Sequence, residues 1–217
     1  MQFQYYNYSE FNKTYFIAFA FNKHSSYSFS TIDFAVNGST PVAATGTKPP
    51  RDNGNWHHFV LSYDGSGTTT LYYDGSFRAT FSGTIGASDS HLKLGTANVW
   101  SNYEGKLDQV RLFTKALSSS EVSTLYAETA ATVTSLDPLS EDTTDTLQVL
   151  GDSSCIATYR FENDEVDFSG NYNGTGTGIQ YTAGRYGQAA SFANNFSSVS
   201  NSPEYGTTLF IFDISLI

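Results

Sequence analysis

Residues Trp56–Phe81 read WHHFVLSYDGSGTTTLYYDGSFRATF, and this stretch decides the fold. His57, Phe59, Leu61 and Tyr63 alternate with His58, Val60 and Ser62, the period-two pattern of a β-strand. Asp64-Gly65-Ser66-Gly67 breaks the run, and Thr69–Tyr73 resumes it. Asp74-Gly75 is a two-residue hairpin signal, because a type I′ turn needs positive φ at both central positions. Ser76–Phe81 returns as the partner strand. The reading is an antiparallel meander.

Downstream, Leu92–Gly95 (LKLG), Gly105–Phe113 (GKLDQVRLF) and Ala116–Val122 (ALSSSEV) follow in order. Together with Trp56–Gly65 and Leu71–Gly75 they resemble the laminin-G-like, concanavalin A-like jelly-roll family. Each motif alone is weak, and the ordered set is specific. The resemblance implies an all-β, antiparallel two-sheet jelly-roll sandwich, with one short helix closing the first module. It says little about activity, since one fold hosts many.

Gly105–Thr114 is expected as a strand with Leu107, Gln109, Arg111 and Phe113 on one face and Asp108, Val110 and Leu112 on the other. Apolar residues on both faces suit a strand inside a sandwich. Ser118–Glu128 is the expected helix: Ser118 and Glu121 have capping-box spacing, and Val122, Leu125 and Tyr126 share a face. Upstream, Lys13–Phe21, Tyr27–Phe29 and Thr31–Val36 look like strands, and Asn37-Gly38 signals a hairpin to Val42–Ala44.

Cys155 begins a second pattern: CIATYRFEND, then Asp167–Thr175 (DFSGNYNGT), then Tyr181–Phe192 (YTAGRYGQAASF). This resembles the opening of the same kind of module, whereas residues 1–127 lack that opening. The expected organisation is a laminin-G-like jelly roll over 1–127 without its opening strands, a polar linker over 128–154, and over 155–217 the opening half of a second module. Alternatively 155–217 completes the first sandwich in permuted order, since incomplete sandwiches leave edges unpaired and cores open.

The chain has 217 residues and a net charge of −10. No basic patch is present to neutralise phosphates, so neither nucleic acid nor an anionic membrane is an expected partner. No apolar run reaches membrane-spanning length, which argues against membrane insertion, and no secretory signal peptide is evident. Cys155 is the only cysteine, so no intrachain disulfide can form. It reads as a small buried hydrophobe.

Two site constellations stand out. The family resemblance implies a structural calcium held by Asp108 together with Asp167, Ser169 and Asn171 of the D-x-S-G-N turn. Calcium takes oxygen ligands of these types. Ordinary turn chemistry, with Asp and Asn bonding their own backbone, explains the same residues. Trp100, Asn102 and Tyr103 form the second constellation, an aromatic and amide loop suited to stacking and hydrogen bonding a sugar ring; Trp100 better suits an edge plug, and Tyr103 a ligand contact. Tyr72 and Tyr73 point to opposite faces, so at most one is free for a ligand. His57 and His58 likewise point apart and cannot chelate one ion.

No carboxylate pair of glycosidase type and no nucleophile–base motif is found. The expected function is therefore a non-catalytic binding or adhesion module for a glycan or cell-surface polysaccharide. It would sit beside neighbouring modules in a larger protein, at a virion tail or fibre or on a cell surface. A purely structural spacer is the alternative, and a glycoside hydrolase ranks last.

Overall fold

The computed structural model describes residues 17–23, 30–36, 42–43, 55–82, 93–94, 104–128, 149–193, 196–199 and 209–215. They form an all-β antiparallel jelly-roll sandwich with one helix among the described residues. Strands β1 (Ile17–Lys23), β2 (Ser30–Val36) and β3 (Val42–Ala43) make one sheet in chain order. The β2–β3 pairing, with Phe34 opposite Val42, is the one expected around Asn37-Gly38. The strand expected at Tyr27–Phe29 and most of the 128–154 linker lie outside the described residues.

The main sheet is built on the meander: β4 (Trp56–Tyr63), β5 (Thr68–Tyr73) and β6 (Ser76–Ser82). Asp74 and Gly75 have φ of 48° and 73°, as a type I′ turn requires. Next come β7 (Lys93–Leu94), β8 (Glu104–Phe113) and helix α1 (Ser119–Tyr126). After residue 150 the chain adds β9 (Cys155–Tyr159), β10 (Gly174–Thr177), β11 (Gln180–Ala183), β12 (Gln188–Ala193), β13 (Phe196–Val199) and β14 (Leu209–Ser215). The eight-stranded sheet runs β11-β12-β8-β14-β4-β5-β6, and β9 also pairs with β8. A small sheet runs β10-β13-β7. Strands after Cys155 thus enter the sheet that Trp56 begins: β14 lies between β4 and β8, Phe192 of β12 pairs opposite Gly105, and Thr158 of β9 pairs opposite Arg111.

Phe59, Leu61, Leu71, Tyr73, Leu107, Val110, Leu112, Tyr159, Phe161 and Phe192 share one core cluster. Each fully buried large apolar side chain contributes about 1.5–3 kcal/mol. Phe59 and Tyr73 meet edge to face at 4.9 Å. The other face of β4 receives the helix. Ser62 Oγ donates to the Leu117 carbonyl at 3.1 Å and accepts its N–H at 2.9 Å, which fixes the entry to α1. Ser118 and Glu121 then form the expected capping box, and Val122 and Leu125 are buried. Tyr126 is 39 % exposed, yet its ring lies 5.9 Å from that of His58.

The expected alternation of β8 is broken, with a consequence for chemistry. Ile211 pairs with Arg111, but Asp213 pairs with Asp108, so β8 carries one extra residue there. Gln109 absorbs it at φ 50°, a β-bulge that reverses side-chain parity. Arg111 and Asp108, expected on opposite faces, therefore share the His58 face, because His58 pairs with Asp213 and Val60 with Ile211.

Candidate functional site

The bulge gathers a polar cluster beneath the C-terminus of α1. Arg111, 3 % exposed at its side chain, pairs with Glu128 at 2.7 Å. Its second amino group is 3.4 Å from Gln109 Oε1. The β11–β12 connection, Gly184-Arg185-Tyr186-Gly187, closes over this cluster. Tyr186 OH donates to the Glu128 carbonyl at 2.7 Å, and Arg185 reaches the Tyr126 carbonyl at 3.4 Å. A cation at a helix C-terminus complements the macrodipole.

Asp108 is fully buried. Its Oδ2 accepts the Tyr186 N–H at 3.0 Å, while Oδ1 has no hydrogen-bond partner among the described residues. Burial pushes its pKa up to about 7, against the pull of the Tyr186, Gln109 and Arg185 N–H groups. A Cβ on Gly184 would lie 2.7 Å from Asp108 Oδ2 and 2.5 Å from the Gln188 carbonyl, so only glycine lets this turn close on the carboxylate. His58, also buried, is driven down to about 3, first by burial and then by Arg111 and Arg185. It stays neutral across ordinary pH.

The Asp167–Asn173 turn is a separate structure. Asp167 Oδ1 accepts the N–H groups of Thr158 at 2.8 Å and Ser169 at 3.2 Å. Oδ2 accepts the Ser169 hydroxyl and the Tyr172 N–H. Asp167 N–H donates to Asn173 Oδ1 at 3.1 Å, and Gly170 supplies φ 73°. A carboxylate offers about four acceptor positions, and here four donors take them. Ser169 Oγ also accepts the Asn171 N–H at 3.2 Å. Calcium needs six to eight oxygens; as placed, Asp167 and Ser169 could supply theirs only by giving up the bonds that shape the turn. The partner of Asp108 is the Gly184–Gly187 turn. Asp167 and Asp108 thus each hold a turn of their own, and among the described residues no group of three or more His, Cys, Asp or Glu gathers.

Trp100, Asn102 and Tyr103 lie outside the described residues. Tyr72 and Tyr73 are both buried, at 8 % and 1 % exposure, so neither is free for a ligand. The two histidines do diverge. His57 Nδ1 lies 2.9 Å from Asp74 Oδ2 and 2.7 Å from Tyr73 OH. Asp74 is more than a turn former: its Oδ1 also accepts the His58 backbone N–H at 2.9 Å. Cys155 is 2 % exposed, and burial raises its thiol pKa, so it is a poor nucleophile.

The sequence reading missed the Arg111–Glu128 pair and the Arg185/Tyr186 clasp. The G-R-Y-G-Q motif was the available signal for the clasp. Nothing local in the sequence points to Glu128, because its partner is set by the bulge.

The sheets, the core and the turn chemistry define an all-β sandwich of jelly-roll type. A family model described as the concanavalin A-like lectin/glucanases superfamily, of laminin-G type, matches residues 4–123. The chain belongs to this family. Comparison with curated proteins and with solved structures returned no match.

Proposed function

We propose that this protein is a non-catalytic binding and adhesion module whose ligand class is carbohydrate, carried on a virion or cell surface within a larger protein. Membership of a lectin/glucanase superfamily supports a binding role. The non-catalytic half rests on one observation: the carboxylates nearest in type to a hydrolase pair are occupied in holding turns. Glu162 accepts the Gln188 N–H, Asp164 the Val166 N–H, Glu165 the Tyr181 hydroxyl, and Asp108 is sealed from solvent. A glycosidase needs two carboxyls free to face the scissile bond.

The ligand half rests on Trp100, Asn102 and Tyr103. By chain position they fall between β7 of the small sheet and β8 of the large one. Stacking faces beside an amide suit a pyranose ring. Binding loops on a rigid scaffold are a common arrangement.

A glycan array probed with the whole chain tests this, with calcium and with chelator. Signal on defined saccharides, lost in Tyr103→Ala while thermal stability is kept, is the expected result. No signal on any glycan in either buffer would leave the structural-spacer reading standing. Release of reducing sugar would overturn the non-catalytic assignment.

A further inference from the structure

The outer face of the main sheet changes character at its Trp56 end. Residues paired across neighbouring strands share a face. Gln180 pairs with Ser191, Ser191 with Lys106, Lys106 with Ser215, and Ser215 with Trp56. These five positions form one row across β11, β12, β8, β14 and β4, on the face that carries Asp108 and His58. Two residues further along their strands, Ala189, Asp108 and His58 are buried, with the Tyr186 turn on Asp108 and the Tyr126 ring beside His58. In the row itself Trp56, Lys106 and Ser191 are only half-buried, and Gln180 is exposed.

The row sets an indole beside amide, ammonium and hydroxyl groups. Trp56 is neither in the buried core cluster nor among the partly buried apolar residues packed against it, so a large apolar side chain is left facing water. Lys106 Nζ donates to the Ala183 carbonyl at 3.3 Å on the surface, and an ammonium carries three donors. Gln180 offers both a donor and an acceptor. Ligand sites combine aromatic faces with a few placed polar groups of this kind. From Trp56 to Gln180 the row spans four inter-strand spacings, about 19 Å, a length that suits several sugar rings in series rather than one. The C–H face of a pyranose stacks on an indole, and its hydroxyls bond an ammonium and an amide. With one cation in the row and a net charge of −10 over the chain, a neutral saccharide is favoured over an acidic one. By chain position Tyr103 immediately precedes β8, which begins at this same end of the sheet.

We propose that the Gln180–Ser191–Lys106–Ser215–Trp56 row is a binding surface for a neutral, linear oligosaccharide laid across the strands, with Trp56 as the stacking platform and Lys106 and Gln180 as hydroxyl partners. This rests on the carbohydrate reading of the protein and places a surface for that ligand on the sheet itself. Trp56 and Lys106 precede the 128–154 linker, and Gln180 and Ser191 follow it, so the surface exists only where β11, β12 and β14 join β4 and β8 in one sheet.

Fluorine NMR on the full chain labelled with 5-fluorotryptophan tests the row. The chain has two tryptophans, and Trp56→Phe assigns their resonances. The probes are cello-, xylo-, manno- and maltooligosaccharides of increasing length, from the monosaccharide upward. One of these series is expected to shift the Trp56 resonance, with an affinity that rises about tenfold or more up to about four units and then levels off, as a row of about 19 Å requires. Lys106→Met keeps the aliphatic stem and removes the donors; it should weaken the tetrasaccharide about tenfold while the thermal midpoint holds. Gln180→Ala should flatten the gain from the last units of the tetrasaccharide. Binding that moves only the Trp100 resonance, or that ignores both chain length and Lys106→Met, overturns the row and leaves the carbohydrate reading standing on Trp100, Asn102 and Tyr103. Binding confined to acidic or branched saccharides on a glycan array does the same. Silence from all four series and from the array overturns the row and the carbohydrate reading together.

Discussion

Replacing Asp108 by asparagine should expose a pH dependence that the native protein hides. Burial raises the Asp108 pKa from 3.8 to about 7. The folded state then holds a proton that the unfolded state has lost, so stability falls as pH rises from about 4 to about 7. At about 1.4 kcal/mol per unit, the full cost above pH 7 is about 4 kcal/mol. His58 acts with the opposite sign. Its pKa falls from 6.5 to about 3, so the unfolded state binds the extra proton and stability falls as pH drops from about 6.5 to about 3. Between about pH 4.5 and 6.5 the two slopes cancel, and the native protein should show a nearly flat urea midpoint. An amide at position 108 keeps an acceptor for the Tyr186 N–H and removes the opposing slope. Asp108→Asn should therefore lose about 3 kcal/mol between about pH 6.5 and 4.5. Above about pH 7 it should exceed the native protein by about 4 kcal/mol. Urea denaturation followed by tryptophan fluorescence at three pH values measures both. A variant as flat as the native chain would show that Asp108 is not a buried, proton-holding carboxyl. A variant that gains nothing above pH 7 would refute the burial argument directly.

Two further outcomes test the helix side of the sandwich. Glu128→Ala leaves the Arg111 guanidinium buried without its carboxylate, and should cost about 3–5 kcal/mol, read as a lowered urea midpoint; removing both partners as Arg111→Met/Glu128→Leu should recover most of that loss. Gly75→Ala places a Cβ 2.8 Å from Tyr126 Cδ1 at φ 73°; it should lower the thermal midpoint by an amount corresponding to about 1–3 kcal/mol, and pairing it with Tyr126→Ala should relieve the clash but leave the backbone strain.

How much of the site could be read from sequence differs residue by residue. Asp64, Asp74 and Asp167 announce their turns, because an Asp just before a Gly or within two or three residues of a Ser-Gly pair bonds its local backbone. Asp64 Oδ1 does so with the Ser66 and Thr68 N–H groups. The second role of Asp74, holding His57 and the His58 backbone, needs the β4–β5 register. The grouping of Asp108, Arg111 and Glu128 could not be read at all, because alternation assigns Asp108 and Arg111 to opposite faces until Gln109 inserts its extra residue.

The sequence by itself determined the meander from Trp56, its type I′ turn, the capped helix at Ser118 and the family. These depend on neighbours a few residues apart, where spacing and backbone preference act directly. Only the tertiary structure decided which strand fills the centre of the main sheet and which turn Asp108 holds. Several strands in the chain alternate large apolar residues as the occupant of the β4–β8 slot does, β1 and β2 as well as β14. Local pattern cannot choose between them, since that choice is a difference in packing, register and charge summed over partners more than a hundred residues apart.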